Sequence, residues 1–162
     1  MALSIRSTFL LIFFGCTALN ITALYFQYGQ GMDPCPLCIT QRLFVFAVSL
    51  CALIAAIHNP AQLGRRIYAL LAIAFAGVGG GVSLRHVWLQ SLPEDQVPAC
   101  GPGLGYMFEN FPLGEALQLL LAGDGNCAEV SWTLLGLSMP AWVAVAFAGL
   151  IALNLWQIIR HR

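Results

Sequence analysis

The chain predicts an all-α membrane protein: a four-helix transmembrane bundle with a long exported loop carrying a short interfacial helix. Three observations lead there. First, the 162 residues are 59% hydrophobic and 9% charged, with mean hydropathy +0.80. A soluble domain carries about 25% charged residues, so this chain could not cover a water-facing surface. Second, four runs, about 8–26, 39–57, 67–84 and 140–159, come close to the roughly 20 mostly apolar residues that cross a bilayer. Third, the charges are segregated. There is no lysine; arginines 6, 65, 66, 160 and 162 flank the N-terminus, the middle loop and the C-terminus, whereas Asp33, Glu94, Asp95, Glu109, Glu115, Asp124 and Glu129 lie in the other two loops. Residues 1–162 form a single membrane domain on this reading, with the lipid bilayer as partner and no nucleic acid.

Positively charged loops stay cytoplasmic, so both termini and the loop 58–66 are expected inside, and the loops at about 27–38 and 90–139 outside. Phe13-Phe14-Gly15-Cys16 faintly resembles a lipoprotein cleavage site. Phe14 fits poorly and the apolar run continues past Cys16, so no cleavage is expected. Cys16 and Cys51 then read as small apolar residues inside helices one and two.

Helix two has a readable start in Cys35-Pro36-Leu37-Cys38. Pro36 suits the first helical position, which makes Cys35 the N-cap and puts Cys38 in the first turn. The positive end of the helix dipole there favours a thiolate. Arg42, four residues after Cys38, shares its face. Helix three carries small residues at Ala72, Ala76 and Gly80 and a G-x-x-x-G pair at Gly77 and Gly81, a pattern that lets helices approach closely in a bilayer. Its exported end carries Arg85 and His86. The loop 90–139 is too long for a mere connection. Glycines and prolines, among them Gly101, Pro102, Gly103, Gly123 and Gly125, crowd both its ends and argue for mobility, while leucine-rich 113–121 predicts a helix lying on the membrane surface.

With four spans, loops one and three lie on the same side, so Cys35 and Cys38 share a face with Cys100 and Cys127. On the exported side disulfides persist. Six cysteines allow fifteen full pairings, but Cys51 lies about 20 Å below Cys38 at helical rise and leaves with Cys16. The economical pairing of the remaining four is 35–38 with 100–127. Several readings stay open here. Cys100–Cys127 could simply staple the loop, the C-x-x-C could be redox-active, and four thiolates on one face could hold a soft metal.

The run Cys35-Pro36-Leu37-Cys38-Ile39-Thr40-Gln41-Arg42, four spans and an exported second cysteine pair resemble the disulfide bond formation protein B (DsbB) family of bacterial inner-membrane oxidases. The stretch Cys127-Ala128-Glu129-Val130-Ser131-Trp132, continuing through Leu135-Gly136-Leu137-Ser138-Met139-Pro140, is similar to that family's lead into helix four. The resemblance implies a thiol:quinone oxidoreductase that oxidises a periplasmic DsbA-like thioredoxin-fold protein and passes electrons to ubiquinone or menaquinone from the membrane pool. It implies that Cys100 receives the partner's thiolate, that Cys127 attacks Cys35, and that Cys38 faces the quinone. Arg42 and His86 would flank the quinone head group, with Arg85 turned about 100° away; no resident metal is implied. Two other readings compete: a vitamin K epoxide reductase-like enzyme, and a metal-binding or metal-transporting four-span protein.

Overall fold

The computed structural model describes residues 4–101 and 104–159. Pro102 and Gly103 of the loop, and Arg160 and Arg162 of the C-terminal charge set, lie outside the described residues. The four expected spans are present as α1 (Ile5–Leu24), α2 (Pro36–His58), α3 (Gln62–Gln90) and, after the long loop, a last helix at Met139–Ile159. All four are long and apolar enough to cross a membrane. Each begins or ends beyond the apolar run, because backbone hydrogen bonding carries the helix on where hydropathy has already fallen. Ser4 caps α1 by accepting from the Ser7 N–H at 3.0 Å. α2 stops where Asn59 turns left-handed (φ 44°) ahead of Pro60, a conformation Asn tolerates better than most residues. α1 runs on into a π turn, Tyr25–Gly29.

The long loop is not structureless. It contains a 3-10 turn (Glu94–Gln96), α4 (Leu104–Asn110), α5 (Leu113–Ala122), α6 (Gly125–Ala128) and a two-residue hairpin of β1 (Thr133–Leu134) and β2 (Leu137–Ser138), which leads straight into α7 (Met139–Ile159). The expected surface helix is α5. Ala116 and Leu120, four apart, are buried, while Leu113, Leu117 and Leu121 make an exposed apolar stripe.

The bundle is asymmetric. α2 packs on α1 and α3, and α3 packs on α7, but α1 and α7 scarcely touch. Phe9, Ile12, Cys16, Val48, Cys51, Ala52, Ala72, Ala76 and Phe147 form the main core, so Cys16 and Cys51 are the buried apolar fillers expected. Around it the outward faces are leucine, isoleucine and phenylalanine, as lipid contact requires.

The small-residue pattern of α3 is used differently from the expectation. Ala72, Ala76, Gly79, Ser83 and His86 are the buried line. A Cβ on Gly79 would meet Phe147 of α7 and come within 2.8 Å of Phe44 Cβ on α2, whereas Gly77 and Gly81 have open space around them. Steps of three and four keep 72, 76, 79, 83 and 86 on one face at 100° per residue; the G-x-x-x-G pair falls on the opposite side of the helix and looks outward. Arg6 and Arg66 are exposed at the terminal end of the bundle, and Arg65 is buried there.

Candidate active site

The site is built on the first turn of α2. Cys35 is its N-cap: the Cys35 sulfur accepts from the Cys38 N–H at 3.4 Å, and the two Sγ atoms lie 3.2 Å apart. All six cysteines are free thiols in this structure. Helical geometry makes the two sulfurs neighbours, and the elements packed around them give each different surroundings. Cys35 is buried against α3 and α6, whereas Cys38 is half-buried and turns toward α1 and α7.

On the Cys35 side, ligand atoms of Cys35, His86 and Cys127 lie within 4.8 Å of one another, all three residues buried. His86 is 3.8 Å from the Cys35 sulfur through Nε2, and its Nδ1 accepts from the Gln41 side-chain amide at 3.2 Å. With that amide orientation the imidazole proton sits on Nε2, facing sulfur. The Cys127 thiol is held well above its ordinary pKa, first by its hydrogen bond with Cys35 and then by burial; backbone groups of Asp124 and Leu37 oppose this more weakly.

What carries Cys127 to this spot is the turn between α5 and α6. Gly123 adopts φ 76°, and a Cβ there would come within 2.7 Å of Leu89 Cδ1 and 2.9 Å of Leu37 Cδ1. Only glycine fits both the backbone and the gap. Leu37, the residue between the motif's cysteines, is fully buried under this turn. Gly125 seats the segment bearing Cys100: its N–H donates to the Ala99 carbonyl at 3.4 Å, and a Cβ would lie 3.2 Å from the Cys100 sulfur. Glycines whose number argued for mobility here serve close packing. Cys100 itself is exposed.

On the Cys38 side, Arg42 is half-buried. It donates to the Gln27 side-chain oxygen and, through Nη2, to the Ala23 carbonyl at 3.1 Å. Both acceptors come from the C-terminal end of α1, where the helix passes into its π turn, an irregularity often found at functional sites. A cleft of about 540 Å³, counted with its open mouth, is lined by Cys35, Cys38, Arg42, His86, Phe26 and Trp132 among others. Below it, where α1 and α7 separate, an apolar groove of about 780 Å³ is lined by Leu19, Phe26, Trp132, Trp142, Val143 and Ala146. A second cleft, bounded by Cys38, Arg42, Ala23 and Met139, adjoins both.

These arrangements can be set beside known proteins. The family model described as Disulfide bond formation protein DsbB matches residues 5–157. The chain belongs to the DsbB family. Among its relatives, the Disulfide bond formation protein B of Saccharophagus degradans is 62% identical over 157 residues, covering 97% of this chain and 95% of the relative. That of Methylococcus capsulatus is 59% identical over 154 residues, 95% and 94% of the two chains, and that of Nitrosococcus oceani 51% over 160 residues, 99% and 95%. The chain is therefore a multi-pass inner-membrane oxidoreductase of disulfide bond formation.

The DsbB-type motif residues thus gather at one end of the bundle, as span parity required, around a single cleft. Arg85 points away, donating to the Ala122 carbonyl at 3.3 Å and stacking its guanidinium 4.5 Å from the Trp88 ring. His86 lines the Arg42 cleft but makes its closest contacts with Cys35 and Gln41. Two site residues carried no role in the sequence reading. Gln41 had a signal, a buried amide next to Arg42 within an apolar span. Gln27 had none, because it reaches Arg42 only through the π turn.

Proposed function

We propose that this DsbB-family protein oxidises a periplasmic DsbA-like dithiol protein and passes the electrons through Cys100/Cys127 and then Cys35/Cys38 to a membrane quinone. One observation carries the proposal: both sulfurs of a single C-x-x-C border the Arg42 cleft, but only Cys35 belongs to the buried cluster with Cys127, and only Cys38 also lines the cleft that leads to the lipid-side groove. Exposed Cys100 suits attack by the partner's thiolate on a Cys100–Cys127 disulfide. A Cys100 mixed disulfide forms, Cys127 leaves as thiolate, and the partner's second cysteine completes its own disulfide, leaving Cys100 as a thiol. Cys127, beside Cys35, then attacks the Cys35–Cys38 disulfide, forming Cys35–Cys127 and releasing Cys38 toward Arg42. Cys100 then attacks Cys127, restoring the loop disulfide and freeing Cys35 as a thiolate; Cys35 closes again on Cys38 as the two electrons, with two protons, pass to the quinone.

The acceptor site fits a quinone. The groove between α1 and α7 is apolar and open toward lipid, as an isoprenoid chain needs, and Arg42 stands at its polar end to stabilise negative charge developing on a carbonyl oxygen. A quinone held there supplies a two-electron, two-proton sink of high potential. Such a sink is needed, because a DsbA-like oxidant lies at about −120 mV and a structural disulfide below about −300 mV. Oxidising the partner with the latter would run uphill by about 8 kcal/mol. The termini and loop 58–66 are cytoplasmic on this reading and the cysteine loops periplasmic.

The test is anaerobic turnover of the purified protein with reduced partner and either ubiquinone or menaquinone analogues. One quinone reduced per partner disulfide formed is expected. Partner oxidation without quinone reduction would remove the quinone as acceptor, and undiminished turnover in Cys100→Ser would refute the relay.

A further inference from the structure

The cluster of Cys35, His86 and Cys127 has an arrangement that electron relay alone does not demand. We infer that the fully reduced protein binds one soft divalent cation, zinc being the type case, through Cys35, Cys127 and His86, with Cys38 as fourth ligand, and that binding halts turnover. The site stands on geometry whatever the electron acceptor; only its effect on turnover rests on the relay proposed above.

Tetrahedral zinc with bonds of about 2.3 Å to sulfur and about 2.0–2.1 Å to nitrogen places its ligand atoms about 3.5–3.8 Å apart. The His86 Nε2–Cys35 Sγ distance is 3.8 Å, the Cys35–Cys38 sulfurs are 3.2 Å apart, and the Cys35, His86 and Cys127 atoms span at most 4.8 Å. Small rotamer shifts bring those three around a cation, and Cys38, which stands outside that group, turns its sulfur inward to complete the tetrahedron. The ligands come from three elements, α2, α3 and α6, that Gly123 and Leu37 already pack together.

His86 is held for this role. Metal-bound histidine nearly always fixes its second ring nitrogen with a hydrogen bond, and Gln41 is bonded to His86 Nδ1. Turning the Gln41 amide over lets its oxygen accept from Nδ1–H and leaves the Nε2 lone pair facing the sulfurs. Binding releases three thiol protons and transfers no electrons. The resulting centre, three thiolates and a dication, carries one net negative charge, and Arg42 lines the same cleft. That cleft is also the way in, since Cys35, Cys38 and His86 all border it.

The site is gated by oxidation. A Cys35–Cys38 or Cys35–Cys127 disulfide removes two of the four ligands, so affinity exists only in the reduced protein. Cys100 is not a member.

The experiment uses the reduced, reductant-free full chain under anaerobic conditions, titrated with cadmium as spectroscopic probe and with zinc in competition. Expected are a sulfur-to-metal charge-transfer band saturating at one equivalent, its absence in the oxidised protein, and protection of Cys35, Cys38 and Cys127 but not Cys100 from alkylation. Gln41→Leu should weaken binding about 10- to 100-fold. No saturable band, equal protection of Cys100, or an undiminished band in Cys127→Ser overturns the inference; the alkylation pattern needs no variant and so does not depend on one folding. Quinone reduction by metal-free reduced protein is measured in parallel. Reduction without metal binding removes the site and leaves the proposed function standing, whereas metal binding without reduction supports the site and removes the quinone.

Discussion

The two sulfurs of the C-x-x-C are 3.2 Å apart, yet they belong to different regions of the molecule. Around Cys35 everything is packed: His86, Cys127, Gln41 and Leu37 are buried, and the α5–α6 turn closes over them. Around Cys38 the packing opens, because α1 and α7 part and leave Arg42 between a polar cleft and an apolar groove. The contrast teaches how a helix N-terminus can join an aqueous thiol reaction to a lipid-side one. A cap residue and a first-turn residue three positions on lie only about 60° apart, so one small ring can touch two neighbouring environments.

The sharpest way to break that comparison is Cys38→Ser. Quinone reduction should fall to the uncatalysed background while the Cys35 thiolate attacks the Cys100–Cys127 disulfide, trapping Cys127 on Cys35 and freeing Cys100, a link visible in non-reducing peptide maps. Cys35→Ser should be equally inactive without that link. Surviving turnover in Cys38→Ser would erase the division between the sulfurs. Next in size is Arg42→Ala. Losing a charge-assisted contact worth about 1.5–3 kcal/mol should lower kcat/KM for quinone about 10- to 100-fold and leave KM for the dithiol partner unchanged. Equal effects on both substrates would mean that Arg42 serves the whole site rather than its membrane side.

Gly123→Ala probes the packed side. The added methyl meets Leu89 and Leu37 at a positive φ, and overpacking of this kind costs about 1–3 kcal/mol. A lower Tm in detergent and slower transfer from Cys127 to Cys35 are expected, with quinone binding unaltered. The smallest effect concerns pH. Because Cys35 and burial raise the Cys127 pKa, the folded protein keeps it as a thiol at neutral pH. Alkylation of Cys127 in the reduced protein should therefore keep accelerating beyond pH ~8.5, where an ordinary cysteine is already half ionised. A plateau at that value would place Cys127 away from Cys35.

Much of this was legible in the sequence because it depends on composition and local rules. Four apolar runs, the Pro36 helix start with Cys35 as its cap, the leucine-rich α5 and the shared face of the two cysteine pairs all follow from hydropathy, capping chemistry and parity. The use of small residues was less legible. Gly77 and Gly81 form a recognisable motif yet look outward, while Gly79, in no motif, is the one that two aromatic side chains press against. Likewise the glycines of the long loop gave composition but not place, and Gly123 and Gly125 turned out to seat Cys127 and Cys100.

By itself the sequence determined the solvent, the number of spans, the helix that carries the C-x-x-C and the residues able to do redox chemistry, since each is a property of a short stretch of chain. Only the tertiary structure decided which sulfur meets which partner. That Cys127 with His86 and Gln41 falls to Cys35, and Arg42 with Gln27 to Cys38, depends on how α3, α6 and the π turn of α1 pack around one helical turn, and contacts between residues 15 to about 90 positions apart leave no periodic trace along the chain.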